Sequence, residues 1–292
     1  MTEAVDRWHR WLTDVRFGGD PAIREQILTG LLYPVRDKVL DKARLRPDDT
    51  VLDVGAGDGL IAFGALERLS SSGHVIFADI SQDLLDHCRA AATAEGQLDR
   101  CSFVLASADS LTGIADCSVD VVTTRSVLIY VKDKAEALRE FHRVLRPGGR
   151  ISVHEPINVL MHEPNRLLGF DLTPVKPLAD KVEALYRSIQ TPGEDPMLDF
   201  DDRDLLRHAE QAGFAEIDLE LRVTVKNQTP LVRWEQALRM SGNPLVPTLG
   251  EALDRTLSPE EITRFTAYLK PLVESGTSRR RLAVTYLAAA KE

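Results

Sequence analysis

Three glycines at alternating positions follow a short apolar segment near residue 50, and this part of the sequence has the clearest chemical meaning. The segment reads VLDVGAGDG over residues 51–59. Glycines after a strand allow a sharp turn and let a ligand contact the main chain. The dinucleotide pattern GxGxxG would need glycine at Leu60, and Asp53 lies two residues before Gly55. The segment predicts a nucleotide-binding turn, with a tight strand–helix turn that binds nothing as the alternative.

Two acidic residues occur where neighbouring strands are expected to end. Asp79 ends the predicted strand 74–79, and Asp109 follows the predicted strand 102–106. A carboxylate after the second strand can accept hydrogen bonds from both ribose hydroxyls. An acid at Asp109 can accept one from an exocyclic adenine amine. Taken alone, each acid is equally compatible with a local role such as helix capping.

The candidate acid–base groups lie at the end of the predicted strand 150–155. His154 and Glu155 are adjacent there, so strand alternation points them to opposite faces and only one can face a cleft. We predict His154 as a general base, with a structural hydrogen bond as the alternative, and His162 as a weaker candidate. Arg125 and Tyr130 are the other catalytic candidates, Tyr130 as the group that orients the substrate. Three arginines could bind an acidic acceptor in a bidentate manner, although solvated arginines are commoner: Arg125, Arg166 and Arg222.

The elements that must position these residues alternate in type from residue 50 onward. Strands are predicted at 50–54, 74–79, 102–106, 119–124, 150–155, 215–226 and 280–288, and helices at 4–17, about 22–45, 59–69, 82–94, 133–145 and 202–212. Alternating strands and helices predict a parallel sheet built from right-handed βαβ units. The predicted organisation is an N-terminal helical cap (1–46), a core (47–155), a helical lid insertion (156–200), a continuation of the core (201–227), a second helical insertion (228–279) and a final core strand (280–292). In the second insertion, Ser258-Pro259-Glu260-Glu261 predicts a helix start with a capping box.

Composition and charge exclude several classes of protein. The chain has 292 residues, 43% hydrophobic and 28% charged, with a formal net charge of −9. These values argue against collagen, coiled-coil arrays, wholly disordered chains and a broad nucleic-acid or lipid-binding surface. The three cysteines lack ligand spacing, and no signal peptide or membrane-length apolar run is present. We therefore expect a cytoplasmic protein without a metal site, nucleic-acid partner or membrane partner.

Residues 50–155 resemble class I S-adenosylmethionine (SAM) dependent methyltransferases. The matching segments are VLDVGAGDG, FADIS, SADS and DVVTTRSVLIYV followed by FHRVLRPGGRI. The resemblance runs toward ubiquinone-type and secondary-metabolite enzymes. The GGD and TTRSVLIYV–EPIN segments are also similar to the group that esterifies the C-terminal carboxylate of peptides. The resemblance to class I methyltransferases implies an α/β fold with a Rossmann-like seven-stranded sheet, helices on both faces and an antiparallel last strand.

The resemblance also implies the cofactor SAM, the product S-adenosylhomocysteine and a set of contacts. Gly55, Ala56 and Gly57 would approach the amino-acid part of SAM, and Asp53 would support that loop or meet the amino group. The remaining cofactor contacts would be Asp79 at the ribose, Ala108, Asp109 and Ser110 at the adenine, Thr124, Arg125 and Ser126 at the sulfonium, and Arg16 or Tyr33 near the carboxylate of SAM. Ile80, next to Asp79, is a further expected cofactor contact.

Because SAM carries an already activated methyl group, the protein mainly has to align donor and acceptor. We predict an O-methyltransferase with a carboxylate slightly ahead of a hydroxyl, because a carboxylate is already ionised at neutral pH. The two insertions favour an enclosed pocket for a natural-product-type small molecule or a peptide. The expected oligomeric state is a monomer or a homodimer. An N- or C-methyltransferase of a small metabolite is the alternative. A non-catalytic SAM-binding scaffold is a weaker alternative. Leu60 and Asp53 argue against a nicotinamide oxidoreductase. The three cysteines give little support to an arsenite methyltransferase, which needs several cysteines to hold arsenic.

Overall fold

The computed structural model describes residues 6–161, 163, 165–191, 193–228, 232–275 and 277–292. His162 lies outside these residues. The chain divides into two compact units. The core unit comprises Leu28–Val159, Pro196–Arg222 and Val284–Glu292, and the helical unit comprises Met1–Ile27, Leu160–Asp195 and Val223–Ala283.

Seven strands form one sheet, and two short strands form a separate hairpin. The strands are β1 (Thr50–Val54), β2 (His74–Asp79), β3 (Cys101–Leu105), β4 (Val119–Arg125), β5 (Leu145–Pro156), β6 (Arg166–Leu167), β7 (Phe170–Asp171), β8 (Ala215–Gln228) and β9 (Ser278–Ala290). The large sheet has the order β3-β2-β1-β4-β5-β9-β8. Strands β1 to β5 are parallel, and β9 is antiparallel to β5. The predicted Rossmann-like sheet with an antiparallel last strand is confirmed.

The helices surround this sheet or build the helical unit. They are α1 (Arg7–Arg10), α2 (Pro21–Ile27), α3 (Tyr33–Ala43), α4 (Leu60–Arg68), α5 (Gln82–Ala94), α6 (Lys134–Val144), α7 (Asn158–Met161), α8 (Lys176–Ile189), α9 (Asp202–Gln211), α10 (Trp234–Arg239), α11 (Leu249–Thr256) and α12 (Pro259–Ser275). The two N-terminal helices predicted as continuous are interrupted by π-helical turns at Trp11–Val15 and Leu28–Leu32. The second turn contains Gly30, which lowers helix propensity at that point.

The core of the sheet is apolar on both faces, as a parallel sheet covered by helices requires. Val51, Leu52 and Val54 of β1 are buried, and Phe77 of β2 packs against neighbouring aromatic rings. Because β1 to β5 are parallel, the loops that follow them meet at one edge of the sheet. Open α/β sheets bind their ligands at this carboxyl edge.

The helical unit has an apolar cluster of its own, formed mainly by α8, α10, α11 and α12. At the start of α12, Glu261 N donates to Ser258 Oγ at 3.3 Å, and Ser258 N donates to Glu261 Oε2 at 3.1 Å. The predicted capping box is therefore present. In the described part of the chain, no helix has the length and apolarity needed to cross a membrane.

Candidate functional site

The glycine loop between β1 and α4 adopts a backbone that only glycine accommodates easily. Gly55, Gly57 and Gly59 have φ angles of 67°, 57° and 83°. Gly55 N and Ala56 N donate to Ala78 O at 2.7 and 3.0 Å, which ties the loop to β2. A Cβ atom on Gly55 would overlap the side chain of Val127. The loop therefore presents bare backbone at the carboxyl edge.

Asp79 at the end of β2 organises the same loop. Its Oδ2 accepts from Gly57 N and its Oδ1 accepts from Ser81 N, both at 2.9 Å. The carboxylate is 6% exposed, whereas the next side chain, Ile80, is 54% exposed. An exposed apolar side chain beside an oriented carboxylate suits a ligand with a flat apolar ring and a hydroxylated sugar.

Asp53 lies inside the sheet beneath the loop. Its Oδ1 accepts from Thr123 Oγ1 at 2.8 Å, which joins β1 to β4. The side chain is 2% exposed. Burial raises the pKa of Asp53 to about 7. Of its two predicted roles, support of the loop is the one that this position suits.

The turn after β3 contains the predicted adenine residues. Asp109 accepts a hydrogen bond from Ser107 Oγ, and Ser110 N donates to Ser107 O at 3.0 Å. Ala108 is buried. Asp109 also lines a cavity of about 510 Å³ in the core unit, together with residues 132–135, Asp199, Phe200, Asp204, Arg207 and His208.

Glu155 holds the turn that follows β4, a role that was not expected. Its carboxylate accepts from Val127 N and Leu128 N at 2.9 Å and from Ile129 N at 3.1 Å. Burial raises the pKa of Glu155 to about 7, although these three N–H groups favour the ionised form. Glu155 thus fixes Val127, the residue that packs against Gly55. The acid at the strand end was visible in the sequence, but nothing there indicated its backbone partners.

His154 faces the interior of the core unit. Its ring packs edge-on against Tyr286 with 4.8 Å between centroids, and neither ring nitrogen has a hydrogen-bond partner among the described residues. Burial, followed by the positive charges of Arg125 and Lys38, lowers its pKa to about 3. A buried imidazole of this kind is a weak base, so the structure argues against the predicted catalytic role.

Arg125 lies at the end of β4, and Thr124 precedes it. Its guanidinium makes no hydrogen bond or ion pair with the residues that the structure describes. Arg125 lies opposite His154 in the register of β4 and β5, and its positive charge lowers the pKa values of Asp53, His154 and Glu155. The hydroxyl of Thr124 is buried without a described partner. The carboxyl edge therefore holds an arginine whose donor groups are uncommitted within the described chain.

The other predicted residues are distributed as follows. Ser126 has a positive φ of 57°, and its N–H donates to His154 O at 2.8 Å. Tyr130 ends the short 3-10 turn Leu128–Tyr130. Tyr33 belongs to the core unit, where the guanidinium of Arg36 lies 4.8 Å from its ring centroid.

The remaining predicted arginines lie in different places. Arg16 belongs to the helical unit, where its guanidinium lies 5.2 Å from the ring centroids of both Trp11 and Phe17. Arg166 is also in the helical unit, and Arg222 is exposed on β8. Across the described ranges, no group of three or more His, Cys, Asp or Glu side chains could hold a metal ion.

Comparisons with known proteins agree with this geometry. Residues 52–153 match the family model described as a methyltransferase domain. The chain is 35% identical over 139 residues to a ubiquinone/menaquinone biosynthesis C-methyltransferase of Hahella chejuensis, covering 47% of this chain and 55% of that protein. It is 33% identical over 141 residues to the tRNA 5-carboxymethoxyuridine methyltransferase of Escherichia coli, covering 47% and 52%. The chain thus spans about half the length of these curated relatives.

A solved structure extends the likeness in fold. A putative sarcosine dimethylglycine methyltransferase from Galdieria sulphuraria superposes with a TM-score of 0.54 at 18% identity, covering 98% of this chain and 99% of that one. Residues 52–153 thus match a methyltransferase domain, and they resemble the class I SAM-dependent domain of the ubiquinone-type enzymes.

Proposed function

We propose that this protein is a SAM-dependent methyltransferase that methylates a carboxylate on a small-molecule or peptide acceptor of the natural-product type. Bound SAM would supply a methyl group on a sulfonium centre that is already activated for displacement. The protein's residues then have to hold the cofactor, align the acceptor and exclude water. The observation that carries the choice of a carboxylate is the environment of Arg125, His154 and Glu155.

The carboxyl edge of the sheet suits SAM. The bare backbone of the loop 55–59 would take the amino-acid part, where a side chain at Gly55 would collide with Val127. Asp79 is held by Gly57 N and Ser81 N in an orientation that suits the ribose hydroxyls. Ile80 would cover the adenine ring, and Asp109 would accept from the exocyclic amine of adenine.

Arg125 supports an anionic acceptor. An arginine presents a planar fork of donors that matches a carboxylate in a bidentate manner. Neither acid–base candidate at the end of β5 suits proton abstraction, because His154 is buried with a lowered pKa and Glu155 accepts three backbone hydrogen bonds. A carboxylate acceptor is ionised at neutral pH, so it needs no such base.

Methyl esters can be distinguished from other products directly. Purified protein is incubated with methyl-labelled SAM and host extract, the product is treated with mild base, and volatile methanol is captured. We expect volatile label, because a methyl ester releases methanol under these conditions. Incorporated label that is stable to base and releases no volatile methanol would contradict the carboxylate acceptor. It would indicate a hydroxyl, nitrogen or carbon acceptor, and tRNA would then be one of the substrates to test. Tight SAM binding without any incorporation of label would favour a non-catalytic SAM-binding scaffold.

A further inference from the structure

The helical unit contains a concave site with a strong positive charge. A cavity of about 260 Å³ is lined by four arginines and a single carboxylate, together with Met161 and Gly169. The charged residues are Arg166, Arg279, Arg280, Arg281 and Glu163. This concentration is unusual for a chain whose formal net charge is −9.

Two arginines of this cavity lack, among the described residues, the ion pairs that several arginines of the core unit make. Arg143 contacts both Glu140 and Asp116, and Arg150 is paired with the buried Asp49. In the cavity, Glu163 is 3.4 Å from Arg281 Nη2. The side chains of Arg279 and Arg280 have neither a hydrogen bond nor an ion pair with any residue that the structure describes. Like charges gathered without counter-charges repel each other unless an anion joins them.

The backbone holds two of these arginines in place. Arg279 N donates to Gly169 O at 3.0 Å, and Arg166 Nη1 donates to the same carbonyl oxygen at 2.8 Å. Gly169 has a φ of 84°, and a Cβ atom there would lie 2.7 Å from Arg279 O. The β6–β7 hairpin and the start of β9 therefore pack closely, and both arginines are attached at one point.

One donor in the cluster is buried without an acceptor. Arg281 Nε is inaccessible to solvent and has no hydrogen-bond partner among the described residues. Buried polar groups in native proteins are nearly always paired, so an orphaned guanidinium N–H indicates a missing acceptor. A bound oxyanion would supply the absent negative charge at the accessible nitrogens of these guanidinium groups, and a small movement of the Arg281 side chain would bring Nε to it.

We propose that this cavity binds the phosphate or pyrophosphate group of a small molecule. Arginine forks donate paired hydrogen bonds to phosphate oxygens, and several arginines together suit an anion that carries more than one charge. A volume of about 260 Å³ is below the roughly 300–1,000 Å³ of sites that enclose a drug-sized ligand. The site is therefore sized for a compact anionic group. It is independent of the methyl-transfer proposal.

Calorimetric titration of the whole protein with inorganic pyrophosphate, without SAM, tests this site. Arg279→Gln and Arg281→Gln should each weaken pyrophosphate binding about tenfold, as loss of one charge-assisted interaction predicts. Arg279→Lys should retain part of the affinity, because it keeps the charge but loses the fork. Glu163→Gln should have the opposite effect and tighten binding, because it removes the competing carboxylate.

Arg255→Gln is the matched control, because Arg255 is an exposed arginine of the same unit that does not line the cavity. Circular dichroism and thermal unfolding verify that each variant is folded. Pyrophosphate binding that is unchanged in Arg279→Gln and Arg281→Gln would overturn the proposal. So would the absence of pyrophosphate binding in a protein that binds phosphatidylserine vesicles or tRNA through the same arginines.

Discussion

Two carboxylates at the carboxyl edge of the sheet organise loops by accepting backbone hydrogen bonds. Asp79 follows β2 and holds Gly57 and Ser81, whereas Glu155 ends β5 and holds the turn that begins at Val127. Their surroundings differ: Ile80, beside Asp79, is an exposed apolar side chain, whereas Glu155 is fully buried. Similar chemistry thus serves a loop that we propose to face the ligand in one case and the internal support of a turn in the other.

The two regions are also connected. Glu155 positions Val127, and Val127 packs where the missing side chain of Gly55 leaves space. The glycine loop therefore depends on residues about 70 and 100 positions later in the chain, since its geometry is completed by contacts across β4 and β5. A motif that reads as local in the sequence is a three-part arrangement in the structure.

Gly55→Ala should have the largest effect, because it breaks this arrangement at its centre. The added methyl group meets Val127 and also has to adopt a left-handed conformation. We expect a loss of about 2–5 kcal/mol in the free energy of unfolding from strain and overpacking together. SAM affinity, measured by calorimetry, should fall below detection.

Gly96→Ala is the matched control for backbone strain. Gly96 has a nearly identical φ of 66°, but a Cβ atom there would meet no atom within 4 Å. It should cost about 1–2 kcal/mol, the strain component alone, and leave SAM affinity unchanged. Equal losses in the two variants would show that Val127 does not restrict the loop.

Glu155→Gln tests the internal support of the turn. A glutamine offers one acceptor oxygen to three N–H groups and turns its own N–H₂ toward them. The free energy of unfolding should fall by about 3 kcal/mol at pH 8.5, where the wild-type carboxyl is ionised. Asp120→Asn is the control, because Asp120 accepts a backbone hydrogen bond from Thr50 at the opposite edge. A smaller loss in Glu155→Gln than in Asp120→Asn would contradict the role of Glu155.

Asp79→Asn tests the carboxylate that we propose to bind the ribose. SAM affinity should fall by about tenfold to a hundredfold, the equivalent of one or two charge-assisted hydrogen bonds. Because Asp79 also holds Gly57, the ribose contribution has to be separated from loop support. Wild-type protein should bind S-adenosylhomocysteine more tightly than its 2′-deoxy analogue, and Asp79→Asn should not distinguish them. Discrimination that persists in the variant would place the ribose elsewhere.

The sequence predicted the geometry at the ends of β1 to β3 better than the contacts at the ends of β4 and β5, for a physical reason. Gly55, Gly57 and Asp79 act through backbone geometry and position along successive βα units, which residue spacing records directly. The roles of His154 and Glu155 depend on which groups pack across them from β4 and β9. Tyr286 lies more than 130 residues after His154, and a single sequence carries no record of that contact. Strand alternation correctly separated the two side chains but could not show that both are buried.

His154→Phe tests whether His154 is a packing residue. Its pKa is about 3 in the folded protein against about 6.5 when unfolded. Between those values the unfolded state binds more protons, so wild-type stability should fall as pH falls below 6.5, by about 1.4 kcal/mol per unit. Denaturant unfolding at several pH values should show a shallower dependence in the variant.

Asp53 and Glu155 act in the opposite direction, because their raised pKa values make the folded state bind protons between about pH 4 and 7. Both acids are present in wild type and variant, so the difference between the two profiles isolates His154. Methyl-transfer activity of His154→Phe should remain near that of the wild type. A loss of turnover with an unchanged stability profile would restore His154 as a base.

Ile80→Ala should have the smallest effect, and it separates ligand contact from structural support. Ile80 is 54% exposed, so shortening it removes little packing and should leave the free energy of unfolding unchanged. If adenine covers this side chain, the lost apolar area of some 40 Å² corresponds to about 1 kcal/mol, or about fivefold weaker SAM binding. Leu98→Ala is the control, because Leu98 is exposed before β3 begins, at the amino edge. Equal SAM affinity in the two variants would mean that adenine lies elsewhere and that Asp79, not the apolar surface beside it, accounts for recognition at the end of β2.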